Sequence, residues 1–246
     1  RFIIKITKMS NNTNSPRPKF RLIYLLYAFL ATVIIAILSF SIFKPIKVLP
    51  RISLAPGYAL INQNNESRTS EDYRGKLTLY SFTYTHCDED CPQTLSHMQA
   101  MRELLTQSAS KDVDYALVTV TVDPERDTPQ TLGLFATPYV DTGESAVPWD
   151  FLTGDPLRMK YMIGGGFGLF YEPVTSETST DDYEIRFYPR FVLVDGWGII
   201  RAEYLTANLD YDEVLEDINY LTDEIANSQG AAKYAYEAAH LFRCYP

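Results

Sequence analysis

The pattern of hydrophobic positions begins with one long uncharged stretch. Residues 22–43 contain no charged side chain, and as a helix they would measure about 33 Å, enough to cross the hydrocarbon core of a bilayer. The run is too long for the apolar core of a secretory signal peptide, and no small-residue cleavage site follows it. The pattern therefore predicts an uncleaved transmembrane helix at 22–43.

The charges on either side of this stretch predict its orientation. Residues 1–21 carry six basic side chains and no acidic one, against Lys44, Lys47 and Arg51 beyond the other end. The positive-inside rule then predicts a basic cytoplasmic tail at 1–21 and an extracytoplasmic, periplasmic remainder, in a single-pass cell-membrane protein. If Met9 is the natural start, three of the six charges go and the orientation depends on the thiol chemistry described below.

Beyond the apolar stretch, strand-like and helix-like patterns alternate. Apolar or β-branched runs predict strands, and an apolar stripe at helical spacing or a proline at a first turn predicts helices. The predicted strands are 77–83, 113–122, 167–171, 190–194 and 199–205, and the predicted helices are 92–107, 128–139, 155–163 and 211–225. Residues 164–166, three glycines, are expected to end the third helix, and the polar stretch 173–184 predicts a loop.

This alternation predicts an α/β fold, a central mixed sheet with helices on both faces, preceded by the transmembrane helix. The two cysteines described below lie at the first strand-to-helix turn, which makes a thioredoxin-like domain the natural assignment. The predicted organisation is a tail at 1–21, a membrane helix at 22–43, a lead segment at 44–75, the domain at 76–226 and a C-terminal helical extension at 227–246. Because six of the 22 basic residues and none of the 31 acidic ones precede residue 44, the remainder carries a net charge of −15. Such an acidic domain is not suited to binding nucleic acid phosphates; it would suit basic protein partners, or simply stay soluble.

Two cysteines carry the candidate chemistry. Cys87 and Cys91 lie four residues apart between a predicted strand and a predicted helix, and Cys244 is the only other cysteine. A helix N-terminus favours a thiolate. Two thiolates could share one Cu(I) ion, or the pair could close a disulfide if the Cα atoms lie about 5.5 Å apart. A purely stabilising disulfide is the weaker interpretation because so short a loop removes little chain entropy.

Four segments resemble signature sequences of the Sco/SenC family of membrane-anchored, thioredoxin-like proteins that handle copper for cytochrome oxidase. Residues 84–92 (YTHCDEDCP) are similar to the copper-site motif, and 121–129 (TVDPERDTP) are similar to a second signature and are the most specific match. Residues 151–154 and 191–198 resemble a short strand and the closing hairpin. The resemblance covers roughly residues 55–226.

The chain departs from the family pattern at the copper site. In the family a distal histidine completes the site, a few residues before the strand at 191–195, and here Phe187 occupies that position. The resemblance therefore implies a Cu(I) site formed by Cys87 and Cys91 with the third ligand missing. The acidic spacer 88–90 is expected to raise the pKa of the thiols, although three solvated turn residues would explain it equally well.

Other candidate ligands have simpler interpretations. His86 is next to the first cysteine, and its side chain is expected to point away from it. His97 is expected to be a packed or surface histidine, and Met98 and Met101 belong to the apolar stripe of the helix and are expected in the core.

The extension at 227–246 is rich in small and aromatic residues. It could dock against a partner or pack against its own domain, and the sequence leaves both possibilities open. Its His240 and Cys244, four residues apart, could form half of a metal site, although such spacing is more often a coincidence.

Two functions follow from these observations. The first is a membrane-anchored copper-binding or thiol-redox protein that serves assembly of a respiratory electron-transport complex, whose subunits would be its partners. The alternative is a non-catalytic accessory subunit of such a complex, which keeps the fold, has lost the full copper site and needs no cofactor. Neither implies an enzyme beyond thiol–disulfide exchange.

Overall fold

The computed structural model describes residues 20–43, 46–87, 90–108, 113–140, 147–175 and 183–242. The chain divides into two units, one ending at Pro45 and the other beginning at Ile46. The described part of the first unit is the helix α1 (Phe20–Phe43), which covers the apolar stretch. Within the described residues, no helix has both the length and the apolar character needed to span a membrane. The membrane span therefore stays a prediction.

The second unit is a mixed α/β domain, as predicted. Its strands are β1 (Ser53–Leu54), β2 (Ala59–Asn62), β3 (Ser67–Thr69), β4 (Lys76–Thr83), β5 (Asp114–Thr121), β6 (Trp149–Thr153), β7 (Tyr171–Thr175), β8 (Tyr183–Phe187), β9 (Arg190–Val194) and β10 (Ile199–Leu205). Its helices are α2 (Asp90–Ser108), α3 (Pro129–Val140), α4 (Pro156–Lys160), α5 (Tyr211–Ala226) and α6 (Gly230–Phe242). Short 3-10 turns lie at Ser70–Tyr73 and Thr206–Asn208, and a π-helix at Tyr161–Gly166 continues α4.

Eight strands form the main sheet, in the order β1-β10-β9-β4-β5-β6-β2-β3, and β7 and β8 form a separate two-stranded sheet. The central β4, β5 and β6 are parallel, and the other neighbours are antiparallel. Thr83 at the end of β4 lies opposite Thr121 at the end of β5. The segment after β4 and the segment after β5 therefore leave the sheet side by side, which brings the two signature segments together.

Both faces of the sheet are buried, so β4 and β5 read as continuous apolar runs rather than alternating ones. One face packs against α2, α3 and α5, whose inward side chains include Met98, Met101 and Leu132. The two methionines are fully buried, which confirms the prediction that they belong to the core. The other face packs against the α4 and π-helix segment and against the β7–β8 hairpin.

Three predictions for the segment after α4 are wrong. Residues 167–170 are not a strand, because the helix continues as a π-helix through the three glycines and β7 begins only at Tyr171. The glycines are not a helix stop; a Cβ atom at Gly166 would overlap the ring of Pro56, so close packing requires glycine there. The predicted loop at 173–184 is wrong at both ends, where β7 and β8 pair. Its centre lies outside the described residues.

The lead segment supplies three strands that its sequence did not predict. β1 pairs with β10 at one edge of the sheet, and β2 pairs with β6 and β3 at the other. These strands have two to four residues, too few for a sequence pattern to predict them. They form because the neighbouring strands offer a ready hydrogen-bonding edge.

A buried charge network joins the lead segment to β10 and α5. The Arg201 guanidinium, 2% exposed, donates hydrogen bonds to Asp195 at 2.8 Å and to Glu224 at 2.8 Å. It also donates to the carbonyl oxygens of Leu49 at 2.9 Å and Pro50 at 3.0 Å. One arginine thus fixes the beginning of the domain to its closing hairpin and its last long helix.

The C-terminal extension packs against its own domain through the same network. His240 Nε2 lies 3.1 Å from Glu224 Oε1, Arg51 pairs with Glu237 at 3.1 Å, and Ala239 is buried. Burial alone would raise the pKa of Glu224, but the hydrogen bonds from His240 and Arg201 and their charges lower it to about 2. The described part of α6 therefore packs against its own domain, docking against a partner stays a prediction, and Cys244 lies outside the described residues.

Candidate thiol and metal site

The cysteine pair occupies the turn between β4 and α2, as predicted. Cys87 and Cys91 form a disulfide with their Cα atoms 5.7 Å apart. The backbone N–H of Cys91, in the first turn of α2, points at the sulfur of Cys87 at 3.2 Å. Cys91 is 1% exposed, whereas Cys87 is only partly buried. Cys87 therefore carries the sulfur that an incoming thiol can reach.

The β7–β8 hairpin lies against this turn. The backbone N–H of Ile185 donates to the hydroxyl of Tyr84 at 3.2 Å, and the rings of Tyr84 and Phe187 are 6.2 Å apart in an edge-on arrangement. Phe187 is buried in the same cluster of side chains as Cys91, and Cys87 packs against that cluster. An aromatic ring that cannot bind a metal thus contacts Tyr84, three residues before Cys87, at the position where the resemblance places a histidine.

The three histidines of the chain contact residues other than the two cysteines in the described structure. His86 is exposed, and its Nδ1 lies 3.0 Å from the hydroxyl of Thr85. His97 contacts the hydroxyl of Tyr211, in keeping with a packed histidine, and His240 contacts Glu224. Among the described residues, no three His, Cys, Asp or Glu side chains gather in an arrangement that could hold a metal ion. Asp88 and Glu89 lie outside those residues, so the effect of the acidic spacer stays a prediction.

The second signature segment supports the cysteine turn from the end of β5. Asp127 has no exposed surface, and its carboxylate accepts the backbone N–H of Thr85 at 3.1 Å and the hydroxyl of Thr85. It also accepts the hydroxyl of Thr121. Burial raises the pKa of Asp127, and these hydrogen bonds offset only part of that effect.

Asp123 organises the other side of the same loop. It pairs with Arg126, and it accepts the hydroxyl of Tyr183 at 2.8 Å. The guanidinium of Arg126 stacks 3.9 Å above the Tyr183 ring and 5.9 Å from the Tyr84 ring. Burial and the bond to Asp123 raise the pKa of Tyr183 to about 12, so its hydroxyl stays a donor at neutral pH. These contacts connect the β7–β8 hairpin to the second signature segment, 121–129.

The sequence pattern identified this segment as a signature but gave its residues no role. Asp127 follows a buried strand by six residues, and nothing in its local sequence distinguishes it from an exposed loop carboxylate. Its role depends on Thr85, which reaches it only because β4 and β5 are neighbours in the sheet.

The chain is similar to known proteins in both sequence and fold. The SCO1/SenC family model matches residues 49–223. An SCO2-like protein of Rickettsia prowazekii is 31% identical over 148 residues, which cover 60% of this chain and 67% of the relative. The structure of Arabidopsis thaliana ScoI with copper bound superposes with a TM-score of 0.59 at 23% identity, covering 70% of this chain and 99% of that one.

A second solved structure is that of BsSco, described as a member of the Sco family of cytochrome c oxidase assembly proteins with a disulfide switch. It superposes with a TM-score of 0.56 at 24% identity and covers 70% of this chain and 95% of that chain. These likenesses confirm the thioredoxin-like fold. Because the family model covers well over half of the chain, including both signature segments, the chain belongs to the SCO1/SenC family.

Proposed function

We propose that this protein carries copper and exchanges thiols and disulfides during assembly of a respiratory cytochrome oxidase, tethered to the cell membrane by residues 22–43. The observation that carries the proposal is the Cys87–Cys91 pair at the N-terminus of α2, with one accessible sulfur. A solved structure of a family member with copper bound and another described as an oxidase assembly protein support it.

The two oxidation states of the pair have different uses. As a disulfide, the sulfurs have no thiolate to offer a metal. Two external thiols reduce it: the first attacks the accessible sulfur of Cys87, Cys91 leaves as a thiolate, and the second thiol releases Cys87 and forms the external disulfide. The helix N-terminus favours the leaving thiolate. The reduced pair then presents two soft ligands of the kind that Cu(I) prefers.

The accessory-subunit function remains the second candidate because of Phe187. This side chain is buried against the ring of Tyr84, three residues before Cys87, at the position where the resemblance places a third donor. A protein that kept the fold for structural reasons could tolerate an apolar ring there. A carrier that holds only Cu(I) could also tolerate it, since two thiolates can bind Cu(I).

Copper binding by the purified full-length chain in detergent separates the two functions. Under reducing conditions we expect one Cu(I) per chain in competition with a Cu(I) chelator, and none in the double variant Cys87→Ser, Cys91→Ser. Cys244→Ser is the matched control and should bind like the parent. In the host, membranes with the double variant should contain oxidase depleted of copper. A parent protein that binds no Cu(I), together with normal oxidase copper in the double variant, would favour the accessory subunit.

The membrane topology has its own test. If residues 22–43 anchor the chain with the domain outside the cytoplasm, protease added to intact spheroplasts should degrade the domain. Full protection in intact spheroplasts, lost on lysis, would contradict this orientation while leaving the copper proposal open.

A further inference from the structure

We infer that Asp127 is a positioning residue for the Cys87–Cys91 pair, and the inference depends on the proposed use of that pair. Its carboxylate is fully buried, and two of its three donors come from Thr85, two residues before Cys87. The contact fixes both the backbone and the side chain of the residue that leads the chain into the cysteine turn.

The carboxylate is itself held in place. The hydroxyl of Thr121 donates to it, and that hydroxyl in turn accepts the backbone N–H of Asp123 at 2.9 Å. The backbone N–H of Asp127 donates to the carbonyl oxygen of Asp123 at 2.9 Å. Because Thr121 ends β5 and Thr85 follows β4, Asp127 ties together the two segments that leave the sheet at this edge.

This anchor acts on the cysteines through the path of the backbone. Closing the disulfide and binding one metal ion with two thiolates both require the two sulfurs to stay close. A turn that is held in position loses less conformational entropy in either event. Without the anchor, the reduced turn would populate open conformations, and the disulfide would become easier to reduce.

The purified full-length protein, equilibrated with reduced and oxidised glutathione, tests this directly. The reaction is protein disulfide plus two glutathione thiols giving protein dithiol plus glutathione disulfide, so no copper is involved. Asp127→Ala should shift the equilibrium about tenfold toward the dithiol, equal to about 30 mV for two electrons. Asp127→Asn keeps an oxygen that can accept a Thr85 donor, and it should restore most of the parent value.

Asp150→Ala is the matched control. Asp150 also accepts several hydrogen bonds, from Tyr73 at 2.8 Å and Asn62 at 3.0 Å among others, but it lies on β6 and contacts no residue of the cysteine turn in the described structure. Its variant should unfold more easily and keep the parent equilibrium constant.

An Asp127→Ala protein that is destabilised yet has the parent equilibrium constant would overturn the inference, because Asp127 would then be only structural. If that variant does not fold, Thr85→Val, which removes one donor and keeps the backbone N–H, decides the matter: an unchanged equilibrium constant overturns the inference. A parent protein that binds no Cu(I) would refute the proposed copper function and leave this result standing.

Discussion

Two carboxylates at different places in the domain, Asp127 fully buried and Glu224 partly buried, have opposite pKa shifts. Asp127 lies beside the cysteine turn, and burial raises its pKa although three hydrogen bonds from Thr85 and Thr121 oppose the shift. Glu224 lies on α5 and contacts Arg201 of β10 and His240 of α6. Its pKa falls to about 2 because these two partners outweigh the effect of burial. Neutral hydrogen-bond donors only reduce the rise in pKa that burial causes at Asp127. At Glu224 a guanidinium and an imidazole turn that rise into a fall.

The two regions therefore differ in what holds them together. Around Glu224, charges fasten the lead segment, the closing hairpin and the extension to one another. Around Asp127, a carboxylate is buried at a cost in free energy, and its hydrogen bonds to Thr85 hold the cysteine turn in position. Such unfavourable arrangements are expected at functional sites, where other parts of the fold compensate for them.

The largest effect should come from removing the cation at the centre of the charge network. Arg201→Met would leave the buried Asp195 and the partly buried Glu224 without their shared guanidinium, and we expect a loss of about 3–5 kcal/mol in the free energy of unfolding. Arg186→Met is the control, since Arg186 pairs with Glu172 in an exposed bridge worth less than about 1 kcal/mol. Urea unfolding of both variants measures the difference. Equal losses would show that the network adds nothing beyond surface pairing.

The pH dependence of stability should have opposite signs at the two carboxylates. The folded pKa of Glu224 lies below the ordinary value of 4.5, so its stabilisation is present above pH 4.5 and is lost as the pH falls toward 2. The advantage of the parent over Glu224→Gln should then shrink by about 3 kcal/mol between pH 6 and pH 2.

For Asp127 the folded pKa lies above the ordinary value of 3.8, so stability is lost as the pH rises through the raised pKa. The parent should therefore gain stability relative to Asp127→Asn as the pH falls through that range. Unfolding curves recorded from pH 2 to pH 7 for the parent and the two variants measure both trends. Parallel curves for the two variants would refute the opposite shifts.

A substitution at Phe187 should add a metal ligand to the cysteine site. Phe187→His would place an imidazole at the position that the resemblance assigns to a ligand, and we expect Cu(II) affinity of the reduced protein to rise tenfold or more. Phe187→Leu removes the ring without adding a donor and should leave Cu(II) binding weak. Absorption and electron paramagnetic resonance spectra would show the nitrogen ligand. Tight Cu(II) binding by the parent through an imidazole would contradict this view of the site.

The smallest effect is expected at the outer edge of the network. Glu237→Gln breaks the pair between α6 and Arg51, in which both side chains are partly exposed, and should cost less than about 1 kcal/mol. Hydrogen exchange of α6 is the suitable measurement, because local opening of the extension responds before global unfolding does. Exchange in α6 that is unchanged in this variant would show that Ala239 and His240 hold the helix without it.

Local sequence was enough to predict the elements with strong patterns. The stripe along α2, the β-branched run of β5 and the hairpin around residues 195–198 each have the period or turn residues of the structure they form. The position of Cys87 and Cys91 followed from the same reasoning, because a strand, a turn and a proline in a first helical turn mark a helix N-terminus.

The amino-acid sequence by itself determined the family, the α/β fold class and the cysteine pair at the start of a helix, since each depends on residues close together in the chain. Only the tertiary structure decided that the lead segment extends the sheet, that β8 brings Phe187 against Tyr84 and that α6 packs on Glu224. It also decided that Asp127 holds Thr85. These contacts join residues far apart in sequence, and each becomes favourable only when sheet pairing has already brought its partners together and out of water.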